Sequence, residues 1–293
     1  MGKIFKMILL PLLLISILSL PITLGCNGGG GDFGEGELEQ ILVDAVNYAN
    51  TADSYSLFMN VEASMDAESE GEEATMEMKM TMDGAYDQKN MAMYMTMNTY
   101  MAMDFGYDMG TEEQSAEIYL VDDYMYVYTD GEWLKMPADE EAFQTYDIYQ
   151  FQEQIALLES LGDLNFDKYE TFNGKECYVI EIIPDFDAML DFLGEEGIGG
   201  MDLSSEEMRV VRDMFDEISY FCWIEKDTGY LTKIKMQIEM KISGDDFKEM
   251  AGVSGKMKMD MSMTIEISDY NQPVNINLPS EAENAPEMSD VMY

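Results

Sequence analysis

The chain alternates between two rhythms of apolar and polar positions. Residues 38–53 (LEQILVDAVNYANTAD) place Leu38, Ile41, Leu42, Ala45, Val46 and Ala49 at helical spacing. This predicts an amphipathic helix with one face on a sheet. From Tyr55 the period falls to two, with Tyr55, Leu57, Met59, Val61 and Ala63 alternating with Ser56, Phe58, Asn60 and Glu62. An acidic turn over 67–73 leads into a strand at 74–83. A turn over 84–90 then precedes a strand at 91–103. Residues 113–137 read as a hairpin turning near Asp122-Asp123, with a further turn at Asp130-Gly131, and 166–184 as a hairpin turning at Asn173-Gly174. Strands resume over 218–242, turning at Asp227-Thr228-Gly229, and over 256–268; Pro273 to Pro279 predicts a short edge strand.

Helical spacing returns twice inside this series. In 147–162, Phe151, Ile155, Leu158 and Leu161 share a face, and Gly162 is placed to end the helix. In 185–217, Phe186, Met189, Leu190 and Leu193 form one stripe. A capping box at Ser204–Glu207 precedes a second stripe of Met208, Val211, Phe215 and Ile218. The order is helix, antiparallel strands, two helical inserts, strands. It predicts an α+β fold whose antiparallel sheet, of about ten strands, curls strongly or partly closes.

Three tracts break the ordinary composition of a strand. MEMKMTM at 76–82, MAMYMTM at 91–97 and MKMDMSM at 257–263 carry methionine at every second position. Alternate side chains of a strand share a face. Met76, Met78, Met80 and Met82 therefore point one way, as do Met91, Met93, Met95 and Met97, and Met257, Met259, Met261 and Met263. Glu77, Lys79, Lys258 and Asp260 point the other way, toward solvent. Three readings remain open for the methionine face: tight core under the helices, one wall of a cavity for an apolar ligand, or a thioether trap for Cu(I). A straight row along one strand does not by itself converge on an ion, so no metal ligands are assigned.

The N-terminus, MGKIFKMILLPLLLISILSLPITLGC, has two lysines, an apolar run and a small residue before Cys26, the layout of an export signal over 1–25. A retained membrane anchor is the alternative, and it too leaves the remaining chain outside the cytoplasm. A glycine-rich tether follows to residue 37. One domain then spans 38–280, and the polar stretch 281–293 is expected to fray.

Charge narrows the partners. The 293-residue chain carries 59 acidic and 16 basic residues, a formal charge of −43. Nucleic acid and anionic headgroups are disfavoured, since both are recognised through Lys and Arg. There is no histidine. That excludes histidine-based nucleophile triads and histidine-ligated zinc or iron. No catalytic residue and no cofactor is assigned, and the chain is read as a non-enzymatic monomer. Beyond Cys26 two cysteines remain, Cys177 and Cys222. They lie in strands predicted to be neighbours across the second insert. A disulfide between them is the plain expectation, with two buried free thiols as the alternative.

The Gly25-Cys26 junction resembles a bacterial-type lipobox, which implies acylation of Cys26. Together with ILVDAVNYANTADSYSL, AEIYLVDDYMYVYTDGEWLKM, GKECYVIEIIP, YFCWIEKDTGYLTKIKMQIEM and the closing PVNINLP, it resembles the LolA/LolB-like lipoprotein superfamily, including the LppX/LprG-type members. The resemblance covers most of 38–280 and is structural. It implies a strongly curved antiparallel half-barrel with helices packed on its concave face. It also implies an extracytoplasmic, lipid-anchored protein whose partner is a hydrophobic small molecule or a lipid acyl chain. A cargo-free envelope protein is the competing expectation.

Overall fold

The computed structural model describes residues 33, 36–69, 71–104, 106, 109–138, 162–185, 209, 212–251 and 254–287. Helix α1 (Glu37–Asn50) opens the fold. Six strands follow: β1 (Ser54–Ser69), β2 (Glu72–Asp87), β3 (Ala92–Asp104), β4 (Met109–Val121), β5 (Tyr124–Thr129) and β6 (Glu132–Pro137). After residues 139–161 come β7 (Gly162–Phe172) and β8 (Lys175–Pro184), and later β9 (Phe215–Glu225) and β10 (Leu231–Ser243). A short helix α2 (Gly244–Ala251) leads into the last strand, β11 (Gly255–Ser268).

All eleven strands join one antiparallel sheet in the order β6-β5-β4-β3-β2-β1-β11-β10-β9-β8-β7. Each neighbour in sequence is a neighbour in space, except that β11 pairs with β1 and β6 does not pair with β7. The tight hairpins form where the turn residues were read. Asp122 and Asp123, Asp130 and Gly131, and Asn173 and Gly174 all have positive φ at both central positions. This is the two-residue turn whose twist matches the strands, and Asn, Asp and Gly tolerate it best.

The sheet is open and not strongly curled, so the expected tight half-barrel is corrected in that respect. The registers show why. Bulges, which bend strands, fall at Phe166/Lys168, Leu231/Lys233 and Glu239/Met240, all within β7–β10. The ladders joining β10, β11, β1, β2, β3, β4, β5 and β6 carry no such shift. The α+β expectation becomes a mostly-β fold among the described residues.

The main core lies on one face of the sheet. Leu38, Leu42 and Ala45 of α1 join Leu57, Ile180, Ile224, Leu231 and Ile265 in one buried cluster. Helix α1 packs over β7, β9 and β10, while α2 packs over β10 and β11. The helix expected over 38–53 therefore does sit on the apolar face. Helix α2 itself was not foreseen. Its eight residues, GDDFKEMA, are too few to display a period, and Phe247 is a fully buried anchor. The ring crowds Gly255, where an added Cβ would lie 2.6 Å from Phe247 Cε1 and 2.3 Å from the Glu68 carbonyl oxygen.

Three boundaries shift. The helix expected over 147–161 and most of that over 185–217 lie outside the described residues. Gly162, expected to end a helix, instead opens β7 opposite Pro184, and Phe215 and Ile218 belong to β9. Pro273–Pro279 forms no strand. The C-terminal stretch is not frayed throughout. Ala282 and Ala285 are buried, the Lys135 N–H donates to the Pro286 carbonyl at 3.0 Å, and Glu287 bridges Lys135 in parallel. This segment covers part of the β6 edge, which would otherwise present unpaired backbone groups.

Phe247→Ala removes a fully buried ring with which α2 reaches the core. It should cost about 3–5 kcal/mol in urea unfolding, as for other buried aromatic truncations. A loss below about 1 kcal/mol would show that α2 does not depend on this ring.

Candidate functional site

Strand parity puts the methionines on the helix-bearing face, and register joins them across strands. One row reads Met103, Met76, Met65, Met259 and Met240 over β3, β2, β1, β11 and β10. The next reads Met101, Met78, Ala63, Met261 and Ile238. A third reads Thr99, Met80, Val61, Met263 and Met236, and a fourth Met97, Met82, Met59, Ile265 and Ile234. Direct cross-strand partners have Cβ atoms about 5 Å apart. The face is thus a continuous thioether and aliphatic surface rather than three separate stripes.

Its burial is uneven. Met65, Met240, Met257, Met259 and Met261 are all under 5 % exposed. Met76 is buried too, as are Met93 and Met95 beside Tyr86 and Leu120. By contrast Met78, Met80, Met82, Met97, Met101, Met103 and Met263 are half-buried. The wall is therefore largely sealed on the β10–β11 side, Met263 excepted, and partly open over β2 and β3.

The open side has a polar rim. On β4 the positions facing Met101 and Thr99 are Glu112 and Gln114, both exposed, with Gln114 Nε2 donating to Glu112 Oε1 at 2.7 Å. Farther along the same strand Ile118 and Leu120 restore the apolar character. The small side chain of Ala63 lies between Met78 and Met261, so the wall is shallowest there.

Of the methionines singled out from the sequence, Met91 is misplaced. It lies in the turn before β3 with φ 49° and is 49 % exposed, outside the half-buried wall of β2 and β3. The tract reading also missed Met59, Met65, Met101, Met103, Met236 and Met240. Met101 and Met103 extend the alternation of β3 past Thr99, and that continued parity was the available signal.

The cysteines do not pair. No disulfide joins Cys177 and Cys222, and both thiols are buried. Cys222 faces Ile180 across β8–β9, on the methionine side, whereas Cys177 faces Glu225. Cys177 and Ile180 are three residues apart, so the two thiols point to opposite faces of the sheet. Cys177 packs with Val179 and Trp223. Burial pushes its thiol pKa up, against a lesser downward pull from the Thr232 hydroxyl. On the methionine face Tyr220 stands between Met236 and Ile182, and burial likewise pushes its phenol up. Both groups stay protonated near neutral pH.

Two open cavities have walls of mixed character. One, of about 570 Å³, is lined by Asp66, Glu73, Lys241, Lys256 and Lys258 among others. The second, of about 370 Å³, is lined by Glu62, Glu77, Glu217 and Glu239 together with Ala63, Met78, Ile238 and Met261. The lysines of the first are already occupied. Lys256 Nζ meets Glu68 at 2.8 Å, Lys258 Nζ meets Asp260 at 2.8 Å, and Lys241 pairs with Asp216. Those carboxylates hold the lysine pKa values up. The many charged groups in these walls do not suit a wholly apolar guest.

A family of unknown function, DUF6612, matches over residues 37–287. The chain belongs to this family. No curated protein matches it. The expected likeness to LolA-type lipoproteins returns among solved structures. LprF from Mycobacterium bovis is 14 % identical with a TM-score of 0.42, covering 83 % of this chain and 97 % of its own. The lipoprotein LppX from Mycobacterium tuberculosis is 13 % identical with a TM-score of 0.36, covering 82 % and 99 %. A LolA superfamily protein from Nitrosomonas europaea is 10 % identical with a TM-score of 0.21, covering 83 % and 95 %. At these scores the likenesses decide nothing about what this chain binds.

Unfolded without reductant, the Cys26→Ser chain should take up two alkyl groups per molecule, one at each remaining cysteine. Intact mass spectrometry reads this directly. An unmodified chain that reacts only after reduction would place a disulfide where the registers forbid one.

Proposed function

We propose that this protein is an extracytoplasmic lipoprotein, held to the membrane through acylated Cys26, that binds a hydrophobic molecule, a lipid by preference, without catalysing a reaction on it. The observation that carries this reading is the uneven burial of the methionine face. A closed core would bury Met78, Met80, Met82, Met97, Met101 and Met103 as fully as it buries Met65 and Met259. These six instead form a half-buried apolar wall on β2 and β3.

The chemistry suits such a guest. Methionine has flexible rotamers and a polarizable sulfur, so one wall adapts to acyl chains of different shape. Apolar contact contributes about 0.8 kcal/mol per buried CH₂, so a dozen methylenes provide substantial affinity without specific polar contacts. The exposed Glu112 and Gln114 at the rim leave the polar end of an amphiphile in water. The large negative charge keeps the body of the protein off anionic headgroups, so the anchor rather than the surface holds it at the membrane. The strongly curved half-barrel implied by the LolA-like resemblance would need the bulge-free half of the sheet to bend around its cargo.

Removing the acylation site as Cys26→Ser should yield protein from which organic extraction and mass spectrometry recover bound lipid. An apolar fluorescent probe should bind with micromolar or better affinity. Replacing both Met78 and Met80 with Gln should weaken the probe by about tenfold or more, or about 1.4 kcal/mol, by placing amides in the wall. If no lipid is extracted and no probe binds, the carrier reading fails and the cargo-free envelope protein stands in its place.

A further inference from the structure

The cross-strand registers create an arrangement that no single methionine tract contains. Met76 faces Met103 and Met78 faces Met101 on adjacent strands β2 and β3. All four lie on the same face, and they occupy the corners of a small rectangle. Its sides are about 5 Å across the strands and about 7 Å along them. Its centre then lies roughly 4 Å from every Cβ, and each thioether sulfur, two bonds beyond its Cβ, can close to about 2.3 Å of a common point, the length of a metal–sulfur bond. Met65 flanks Met76 on β1 as a fifth thioether in the same row.

We propose that Met76, Met78, Met101 and Met103 form a thioether site for a soft monovalent cation, Cu(I), with Ag(I) as its chemical surrogate. The donor set selects the metal. Neutral thioethers bind soft d¹⁰ ions and are poor ligands for Ca²⁺, Mg²⁺ or Zn²⁺. Among the described residues no group of three or more carboxylates, cysteines or histidines is arranged to hold a metal ion, so the hard-cation alternative has no comparable site.

Access and charge agree with this assignment. Met78, Met101 and Met103 are half-buried, so an ion arrives from solvent without unfolding the core, while Met76 at 4 % exposure anchors the inner corner. The row continues inward through Met65, Met259 and Met240, all buried. A cation bound by neutral ligands needs a compensating field, and a chain of charge −43 supplies a negative potential around it. Packing alone does not require sulfur here. β-Branched residues fit a half-buried strand face better, and Val61 and Ile265 occupy the same face in β1 and β11. The site does not depend on lipid binding and would persist if that reading failed.

The test is an anaerobic Cu(I) titration of the full-length protein in detergent against a chromophoric Cu(I) chelator. One ion per chain should bind. The Met78→Leu/Met101→Leu variant, which keeps side-chain volume, should lose at least about 100-fold in affinity, more than loss of outer-shell partners costs a metal site. A Met236→Leu/Met263→Leu control, on the same face three and four strands away from β3, should retain full affinity. Ag(I) added to unmutated protein labelled at its methionine methyl carbons should shift the resonances of Met76, Met78, Met101 and Met103. Equal affinity in the two variants, or Ag(I) shifts confined to exposed Met91, would overturn the site.

Discussion

From β10 through β11, β1 and β2 to β3, the strands pair without a bulge, so the parity of one side chain fixes the face of its partners in the next strand. A slip of one residue in β2 would turn Met76, Met78, Met80 and Met82 to solvent and bring Glu77, Lys79 and Thr81 into the core. Burying that glutamate and lysine without partners costs far more than any gain from re-pairing. The charged alternation is therefore as much a constraint on register as the methionines are. Each methionine tract is locked to one face by the polar residues between its members. The rows that cross five strands follow from that lock and from the hairpin turns, which set the offset between strands.

The same lock divides the molecule into two chemical environments. On the polar face, short ion pairs such as Lys256–Glu68 and Lys258–Asp260 sit in water and contribute little net stability. On the other face the cohesion is apolar, and it is strongest where α1 and α2 cover β7–β11. Over β2 and β3 the same kind of side chain is left half-covered. A protein that stabilises one half of its face and leaves the other partly accessible has a place for a guest without sacrificing its core.

Much of this was legible in the chain. The period-two pattern and the Asp-Asp, Asp-Gly and Asn-Gly turns placed nearly all the strands, because alternation and turn chemistry are local. The helix at Glu37–Asn50 was legible because its stripe spans four turns. Helix α2 was not, since two turns are too short to establish a period. The sheet's limited curl was hidden because curvature depends on bulges, and bulges are a property of paired strands rather than of one strand. The separation of Cys177 from Cys222 was hidden for the same reason. Their strands were known to be neighbours, yet only the register shows that Cys222 meets Ile180 and not Cys177. Met91 was misassigned because its parity matches the tract, while its left-handed backbone takes it out of the strand. The methionine rectangle on β2 and β3 likewise required the offset between two strands.

The central claim is that one half of the methionine face is open to a guest and the other is sealed, and oxidative footprinting with peptide mass spectrometry measures this directly. Under limiting hydrogen peroxide, Met78, Met80, Met82, Met97, Met101 and Met103 should convert to sulfoxide well before Met59, Met65, Met240, Met257 and Met259. Added lipid should slow the first group and leave the second unchanged. Oxidation at one common rate across both groups, or protection by lipid at Met91 and not on β2 and β3, would contradict the account.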